Sequence, residues 1–131
     1  MGRVYLLSSM IIPLSFEYEL ATLTIREVSV EEARRVLKEG FTSAVGHEPT
    51  ARFLSRILNL KVEVNRETVY IDEGDVAITI QFRERIQKIE LTEEEVAEYF
   101  REGRARLIEI TINSLKKINS LKKKMKNKYE H

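Results

Sequence analysis

Short apolar runs divided by polar turns predict most of the strands. The run from Val4 to Leu7 is typical of a buried strand. Pro13 interrupts the apolar residues that follow, which predicts a loop over roughly residues 8–16. Alternating or continuous apolar positions predict three further strands, over 20–28, 76–82 and 107–112.

Short polar segments between apolar runs in the middle of the chain predict two tight turns. Apolar residues over 62–71 flank Asn65 and Arg66, a pattern typical of a hairpin that turns at this pair. A second turn over 72–75 leads into the strand 76–82. Strands joined by such short turns lie antiparallel, so we expect a mixed sheet.

Two capping boxes mark the starts of helices. In a capping box a serine or threonine hydroxyl accepts the N–H three residues on, and the carboxylate there accepts the N–H of the cap. The pairs are Ser29 with Glu32 and Thr92 with Glu95. The first helix runs to about Leu37, with Gly40 where its C-cap belongs, and the second ends near Gly103.

These elements alternate along 131 residues, a length that suits one domain. With 43% apolar residues, the chain has enough hydrophobic side chains for a packed core. We predict a single-domain α/β (α+β) fold in which residues 1–112 form a mixed, mostly five-stranded sheet flanked by helices. A C-terminal amphipathic, lysine-rich helix is expected over 113–131.

The net charge of +1 conceals an uneven distribution, because residues 113–131 carry seven lysines and one glutamate. The apolar side chains of this segment fall on one helical face: Leu115, Ile118, Leu121 and Met125. We interpret it as a helix that packs on the domain or on a second copy of the chain. Weak contact with nucleic acid or another anionic surface, and a frayed end, are the alternatives.

The composition excludes several kinds of protein. No apolar run is long enough to span a membrane. The first residues lack the pattern of a secretory signal, so we expect a cytoplasmic protein, in the host cytoplasm if it is viral. The chain has no cysteine, which excludes disulfides, thiolate metal sites and cysteine nucleophiles. A charged fraction of 33% is typical of heat-adapted proteins.

His47 is the most informative candidate residue, since the only other histidine is His131 at the end of the chain. It follows Gly46 and precedes Pro49, a residue favoured in the first helical turn, and apolar residues over 53–60 then recur at helical spacing. A helix start offers unpaired N–H groups to a phosphate, and histidine exchanges protons near neutral pH. His47 is therefore a candidate for proton transfer, with an ordinary cap or packing residue as the alternative.

Three arginines and one glutamine are candidates for ligand contacts. Arg66, Arg83 and Arg85 carry guanidinium groups, which bind phosphate oxygens in pairs. Gln81 precedes Phe82 in an apolar strand, where an amide needs a partner. Solvated surface arginines and a glutamine at an exposed strand edge are the alternatives.

Several catalytic motifs are absent from the sequence. It has no glycine-rich phosphate loop, no paired histidines for zinc and no serine–histidine arrangement. The acidic run Glu93–Glu95 stands at a helix start, where acids favour the helix dipole. We therefore expect any catalysis to need no metal or cofactor and to depend on one histidine.

Five landmarks in matching order resemble one family, the small viral and prophage ring nucleases that act as anti-CRISPR proteins against type III systems. These proteins were first known as uncharacterised crenarchaeal virus proteins. The resemblance covers about residues 1–112. The landmarks are Met1–Leu6, Val45–Thr50, Asn65 with Arg66, Gln81 with Arg85, and Tyr99 with Gly103 and Arg104.

The resemblance implies a metal-independent homodimer that binds cyclic oligoadenylate, most often cyclic tetra-adenylate, across its interface. A ribose 2′-hydroxyl attacks the adjacent phosphorus and leaves a 2′,3′-cyclic phosphate. By resemblance, His47 donates a proton to the departing 5′-oxygen, and the segment 83–90 forms a lid over the ligand. The implied ligand-binding residues are Arg66, Gln81, Arg85, Ser8 and Thr50.

The chain departs from the family pattern at several positions. Ile11 and Pro13 replace polar side chains after the first strand, Pro49 replaces a serine, and Lys88 stands near a family glutamate. Glu48, Glu84 and Glu90 are candidates to replace that carboxylate. Two other functions remain open: a protein that binds cyclic oligoadenylate without hydrolysing it, and a nucleic-acid-binding protein that uses the basic tail.

Overall fold

Eight elements of regular structure follow one another in the computed structural model, which describes residues 2–14, 18–83 and 92–116. In chain order they are β1 (Val4–Leu7), β2 (Leu20–Val28), α1 (Val30–Leu37), β3 (Thr42–Ala44), α2 (Glu48–Leu58), β4 (Val76–Phe82), α3 (Glu93–Arg101) and β5 (Ala105–Lys116). The predicted single domain of sheet and helices is confirmed.

The five strands form one mixed sheet in the order β2-β5-β4-β1-β3. β1 runs parallel to β3 and to β4, whereas β5 runs antiparallel to β2 and to β4. A parallel neighbour requires a crossover connection, and helices α1 and α2 lie in the connections on either side of β3. The predicted mixed sheet is confirmed, although its antiparallel pairs are not the predicted ones.

The helices begin where the capping residues predict. The Ser29 hydroxyl accepts the Glu32 N–H at 3.1 Å and the Glu32 carboxylate accepts the Ser29 N–H at 3.2 Å. Thr92 and Glu95 make the same reciprocal pair. The first helix ends at Leu37 as predicted, but its C-cap is Lys38, and Gly40 lies two residues farther on with a φ of 130°.

Apolar side chains pack on both faces of the sheet. The three helices cover one face, with Leu6, Ile78 and Ile80 at the centre of that cluster. The opposite face carries Tyr5 and Ile110, against which residues 10–14 and 69–71 pack. The loop after β1 therefore covers part of the sheet that has no helix.

The predicted hairpin over 62–71 is wrong. Asn65 does stand at a turn, because its side-chain carbonyl accepts the Glu67 N–H at 3.0 Å. Its backbone and side-chain amides, however, donate to the carbonyls of Val45 at 2.9 Å and Ser43 at 2.7 Å. The segment is thus held against β3, a strand too short for its sequence pattern to predict, and not against itself.

The predicted start of the tail helix at Asn113 is also wrong. Residues 113–116 continue β5, with Lys116 paired to Leu20 of β2. The register between the two strands shifts at Thr22 and Leu23. The Asn113 side chain donates to the hydroxyl of Thr24 at 2.7 Å, which ties the shifted region to β2. Residues 117–131 lie outside the described part of the chain.

Candidate functional site

Three neighbouring strands end at one edge of the sheet. β1 lies between β3 and β4 and is parallel to both, with Leu7 opposite Ala44 and Thr79. In open sheets of this kind, ligands bind in the crevice outside the carboxyl ends of the strands. Ser8 follows β1 at this edge, and His47 follows β3 after two intervening residues.

His47 is the N-cap of α2, with extended backbone angles of φ −119° and ψ 117°. Its side chain makes no capping bond to the helix backbone. The imidazole Nδ1 lies instead 3.2 Å from the hydroxyl of Thr50, and the Nε2 atom is shielded from solvent. The ring is therefore anchored at one nitrogen and covered at the other.

Thr50 lies in the first turn of α2 and is 5% exposed. The structure turns its hydroxyl toward His47 and away from open solvent. A hydroxyl both donates and accepts hydrogen bonds, so this contact is compatible with neutral and with protonated imidazole.

Arg66 lies beside the turn that carries His47. Its Nε donates to the Gly46 carbonyl at 3.0 Å, and the residue is exposed. A β-carbon at Gly46 would lie 3.5 Å from the Arg66 Cγ, so the arginine stem packs closely on this glycine. The guanidinium and the α2 N-terminus together place positive charge at the turn through Gly46 that leads into His47.

Charged side chains in the first turns of α2 form a pair of their own. Glu48 accepts from Arg52 at 2.8 Å, four residues on along the exposed surface. Glu48 was a candidate to replace the family's carboxylate, and the structure shows it engaged in this ion pair.

Thr79 is a residue of this edge that the sequence did not single out. Its side chain is fully buried in β4, and its hydroxyl donates to the Ser9 carbonyl at 2.8 Å. The contact holds the start of the loop after β1, and with it Ser8, against the sheet. The sequence did contain a sign of this role, because Thr79 is a polar residue inside an otherwise apolar strand. A buried polar side chain is tolerated only when it has a hydrogen-bond partner.

Gln81 lies farther along β4, beyond the last pairing with β1. Its side-chain carbonyl accepts from Arg106 Nε at 2.9 Å, and Arg106 also contacts Glu27 at 3.1 Å. These side chains line a groove of about 450 Å³, together with Arg83 and Arg104. The amide thus has the partner that its place in an apolar strand demands.

An aromatic stack supports one wall of this groove. The Arg104 guanidinium lies over the Tyr99 ring, 4.3 Å from its centre. Tyr99 in turn meets Phe82 edge to face, with ring centres 5.7 Å apart. Guanidinium groups held over aromatic rings keep their charge in a defined place.

The structure thus brings four of the predicted residues, Ser8, His47, Thr50 and Arg66, to the carboxyl edge of β1 and β3, and Gln81 to the neighbouring groove. Ile11 is 81% exposed in the loop after β1, which also contains Pro13. The other predicted positions lie outside the described residues, namely Arg85, most of the lid over 83–90, and the candidates Glu84, Lys88 and Glu90.

One protein-family model matches most of the chain. Residues 4–109 match the family described as STIV B116-like, from the start of β1 to the second half of β5. The chain belongs to the STIV B116-like family. The match includes every residue of the candidate site.

Two viral relatives share this B116-like sequence. An uncharacterised protein of Acidianus two-tailed virus is 38% identical over 86 residues, which cover 63% of this chain and 72% of the relative. An uncharacterised protein of Sulfolobus islandicus filamentous virus (isolate Iceland/Hveragerdi) is 35% identical over 86 residues, covering 65% of this chain and 72% of the relative.

A solved structure shares the B116-like fold. The B116 protein of Sulfolobus turreted icosahedral virus superposes with a TM-score of 0.63 at 24% identity, covering 84% of this chain and 99% of that one. At this identity the likeness concerns the fold alone. These relatives are proteins of viruses, in agreement with the crenarchaeal virus proteins that the sequence resembles.

Two kinds of feature are absent from the part of the chain that the structure describes. None of its histidine, aspartate and glutamate side chains gather in groups of three or more that suit a metal ion. None of its helices is both long and apolar enough to cross a membrane.

Proposed function

We propose that this protein binds cyclic oligoadenylate, most favourably cyclic tetra-adenylate, and opens the ring without a metal ion, which would counter or reset type III CRISPR signalling. The observation that carries the proposal is the position of His47. His47 stands at the N-terminus of α2, directly after the Gly46 carbonyl that accepts from Arg66, at the carboxyl edge of three parallel strands. A group that exchanges protons near neutral pH thus adjoins two features that attract phosphate.

The reaction is an internal transfer at phosphorus. The ribose 2′-oxygen forms a bond to the adjacent phosphorus, the bond from phosphorus to the 5′-oxygen breaks, and a 2′,3′-cyclic phosphate remains. The 2′-hydroxyl loses its proton to solvent, and the departing 5′-oxygen gains one from protonated His47. An alkoxide is a poor leaving group, and a positioned general acid is typically worth ~10²–10⁴-fold in rate.

Binding would use the backbone at the start of α2 and the Arg66 guanidinium. The first-turn N–H groups of a helix have no partner within the helix, and a phosphate oxygen accepts them well. Pro49 has no N–H and no hydroxyl, so this turn offers fewer donors than one with serine at that position. We therefore expect tight binding to depend on Arg66 and on the groove around Gln81.

The groove next to Gln81 suits a second part of the ligand. Arg83, Arg104 and Arg106 line it with guanidinium groups. Gln81 offers an amide, which can both donate to and accept from a base or a ribose. In the unbound protein Arg106 occupies the carbonyl of that amide. A base or ribose that takes the same contact would have to displace Arg106.

A symmetric ring suits a symmetric dimer. Two copies related by a twofold axis present the same groups to equivalent phosphates of a cyclic tetranucleotide. We propose a homodimer in which each copy contributes one His47, and no further cofactor.

The shielded Nε2 atom sets a condition on this mechanism. Because Nδ1 is turned toward Thr50, Nε2 is the nitrogen left to donate a proton. That atom is covered in the unbound protein. The groups that cover it must therefore move when the ligand binds, as in other enzymes that close around their substrates.

The direct experiment is incubation of the purified protein with cyclic tetra-adenylate and cyclic hexa-adenylate in EDTA. Mass spectrometry should detect linear products with 2′,3′-cyclic phosphate ends, with the tetra-adenylate consumed faster. His131→Ala serves as a control, because it removes the only other histidine of the chain. Intact ligand after prolonged incubation contradicts the proposed reaction.

A second function, binding without hydrolysis, is favoured by one observation: the Nε2 atom of His47 is shielded from solvent. A sink for the messenger would retain unchanged ligand through gel filtration. The third function considered, nucleic-acid binding, relies on the lysines of 113–131, of which residues 117–131 lie outside the described chain. It predicts a salt-dependent affinity for DNA or RNA that is lost with the tail.

A further inference from the structure

Asn65 is held by three hydrogen bonds in the turn beside the candidate site. Its side-chain amide donates to the Ser43 carbonyl at 2.7 Å and its backbone amide donates to the Val45 carbonyl at 2.9 Å. Its side-chain carbonyl accepts the Glu67 N–H at 3.0 Å. Backbone carbonyls only accept and backbone N–H groups only donate, so the direction of each bond is fixed. The half-buried residue therefore has one orientation, set by partners on two segments of the chain.

These bonds join the turn at Asn65 to the segment that leads into His47. Ser43 lies in β3, the strand at the edge of the sheet from which the chain continues to His47. Arg66 follows Asn65 directly, and its Nε donates to the Gly46 carbonyl at 3.0 Å. A single bond at Nε leaves the terminal nitrogens of the guanidinium as donors for a phosphate.

We propose that Asn65 is a positioning residue for ligand binding, which acts by fixing where the Arg66 guanidinium lies beside the turn before His47. This inference rests on the proposed function, because the effect is on affinity for cyclic oligoadenylate. A long side chain that is ordered only when it binds a ligand lowers the affinity through its lost conformational entropy. The bonds of Asn65 and the contact of Arg66 with Gly46 place part of that ordering in the folded protein, before the ligand arrives.

The neutral amide of Asn65 suits this role. An aspartate at this position could still accept the Glu67 N–H, but it would have no donor for the Ser43 carbonyl. It would also place a negative charge on the residue before Arg66. The asparagine fixes the turn and leaves the positive charge of the arginine for a phosphate.

The test is a double-mutant cycle that combines Asn65→Ser with Arg66→Ala in the full chain carrying His47→Ala, so that the ring stays intact. Serine can accept the Glu67 N–H, but its side chain is shorter than the amide that reaches the Ser43 carbonyl. With Arg66 present, Asn65→Ser should weaken the affinity for cyclic tetra-adenylate about 5-fold in calorimetry. With Arg66→Ala, the same substitution should change the affinity by less than about 2-fold.

A second measurement needs no ligand. Hydrogen exchange of the Arg66 Nε–H, followed by nitrogen-15 NMR at mildly acidic pH, should be slowed in the parent because this group donates to the Gly46 carbonyl. Asn65→Ser should raise the exchange rate. The control is Asn113→Ala, which removes an asparagine bond of 2.7 Å to Thr24, on strands at the other side of the sheet, and should alter neither measurement.

Two results would overturn the inference. One is an equal loss of affinity with and without Arg66, or no loss when Arg66 is present. The other is parent-like exchange of the Nε–H in Asn65→Ser. Should that variant fail to fold, Asn65→Gln, a neutral amide of another length, takes its place. If the protein binds no ring, the proposed function fails, and the exchange measurement still decides whether Asn65 positions Arg66.

Discussion

At the residue scale, the surroundings of His47 separate it from an ordinary helix cap. A conventional cap such as Ser29 accepts an N–H from its own helix, whereas the His47 side chain leaves the α2 backbone uncapped and contacts Thr50. The helix start therefore keeps backbone donors for an anion, while the imidazole is held at Nδ1 by the Thr50 hydroxyl. The identity and position of His47 were predictable from the sequence, but its contact with Thr50 was not, because that contact depends on side-chain direction.

Removing the imidazole should abolish most of the catalysis. His47→Ala is expected to lower the rate of ring cleavage by about 100-fold or more and to leave affinity for cyclic tetra-adenylate nearly unchanged. Single-turnover kinetics and calorimetry measure the two quantities separately. A variant that cleaves at the parent rate would remove His47 from the mechanism.

Removing the guanidinium beside it should affect binding first. Arg66→Ala is expected to weaken affinity for cyclic tetra-adenylate about 10-fold, because a charge-assisted contact to phosphate is lost. Arg52→Ala is the matched control, since that arginine is exposed on α2, the helix that begins after His47, and is paired with Glu48. Equal losses in both variants would indicate a general effect of net charge and contradict a specific contact.

At the scale of elements, capping residues were the most reliable guide. All three helices begin where the sequence predicts, because a cap and its first turn interact over a few residues. Strand pairing depends on distant residues, and there the prediction failed over 62–71. That segment has the alternating pattern of a hairpin, yet its turn residue bonds to Ser43 and Val45.

The role of Asn65 can be tested by two substitutions, Asn65→Asp and Asn65→Ala. Asn65→Asp keeps the acceptor for the Glu67 N–H but loses the donor to the Ser43 carbonyl. We expect a loss of about 1–2 kcal/mol in the free energy of unfolding by urea, at least equal to that of Asn65→Ala. In a hairpin turn aspartate is nearly as favourable as asparagine, so a neutral Asn65→Asp would support the hairpin instead.

At the scale of the whole molecule, one arginine links three elements that are distant in the chain. Arg26 of β2 donates to Glu109 of β5 at 2.9 Å and to Glu32 of α1 at 3.2 Å. The hydrogen bonds that Arg26 donates to the Glu109 and Glu32 carboxylates raise the pKa of Arg26. The Ser29 backbone N–H, together with Arg26, lowers the pKa of the Glu32 carboxyl below its ordinary value of 4.5.

The lowered pKa of Glu32 implies a small, pH-dependent contribution to stability. A carboxyl whose pKa is lower in the folded state stabilises the fold above its unfolded pKa, near 4.5, and loses that effect as the pH falls below it. Glu32→Gln retains an acceptor for the capping box, so it tests the charge alone. The urea midpoint should drop by roughly 0.2 M at pH 7.

The difference between the Glu32→Gln variant and the parent protein should disappear as the pH falls through the lowered pKa of Glu32, because the carboxyl then becomes protonated. It should also shrink in high salt, because the ion pair is exposed. A difference that persists below this pKa would assign the effect to packing or capping.

What the sequence determined by itself is local. Helix starts, the main strands and the candidate imidazole follow from spacing within a few residues. The type of each side chain determines which chemistry it can perform. The tertiary structure decided which strands pair, that β5 continues to Lys116, and that Thr50 and Thr79 hold the site in place. Those features depend on groups far apart in the chain or on the direction of a buried side chain. A buried polar group needs a hydrogen-bond partner, and only the folded chain determines which group that partner is.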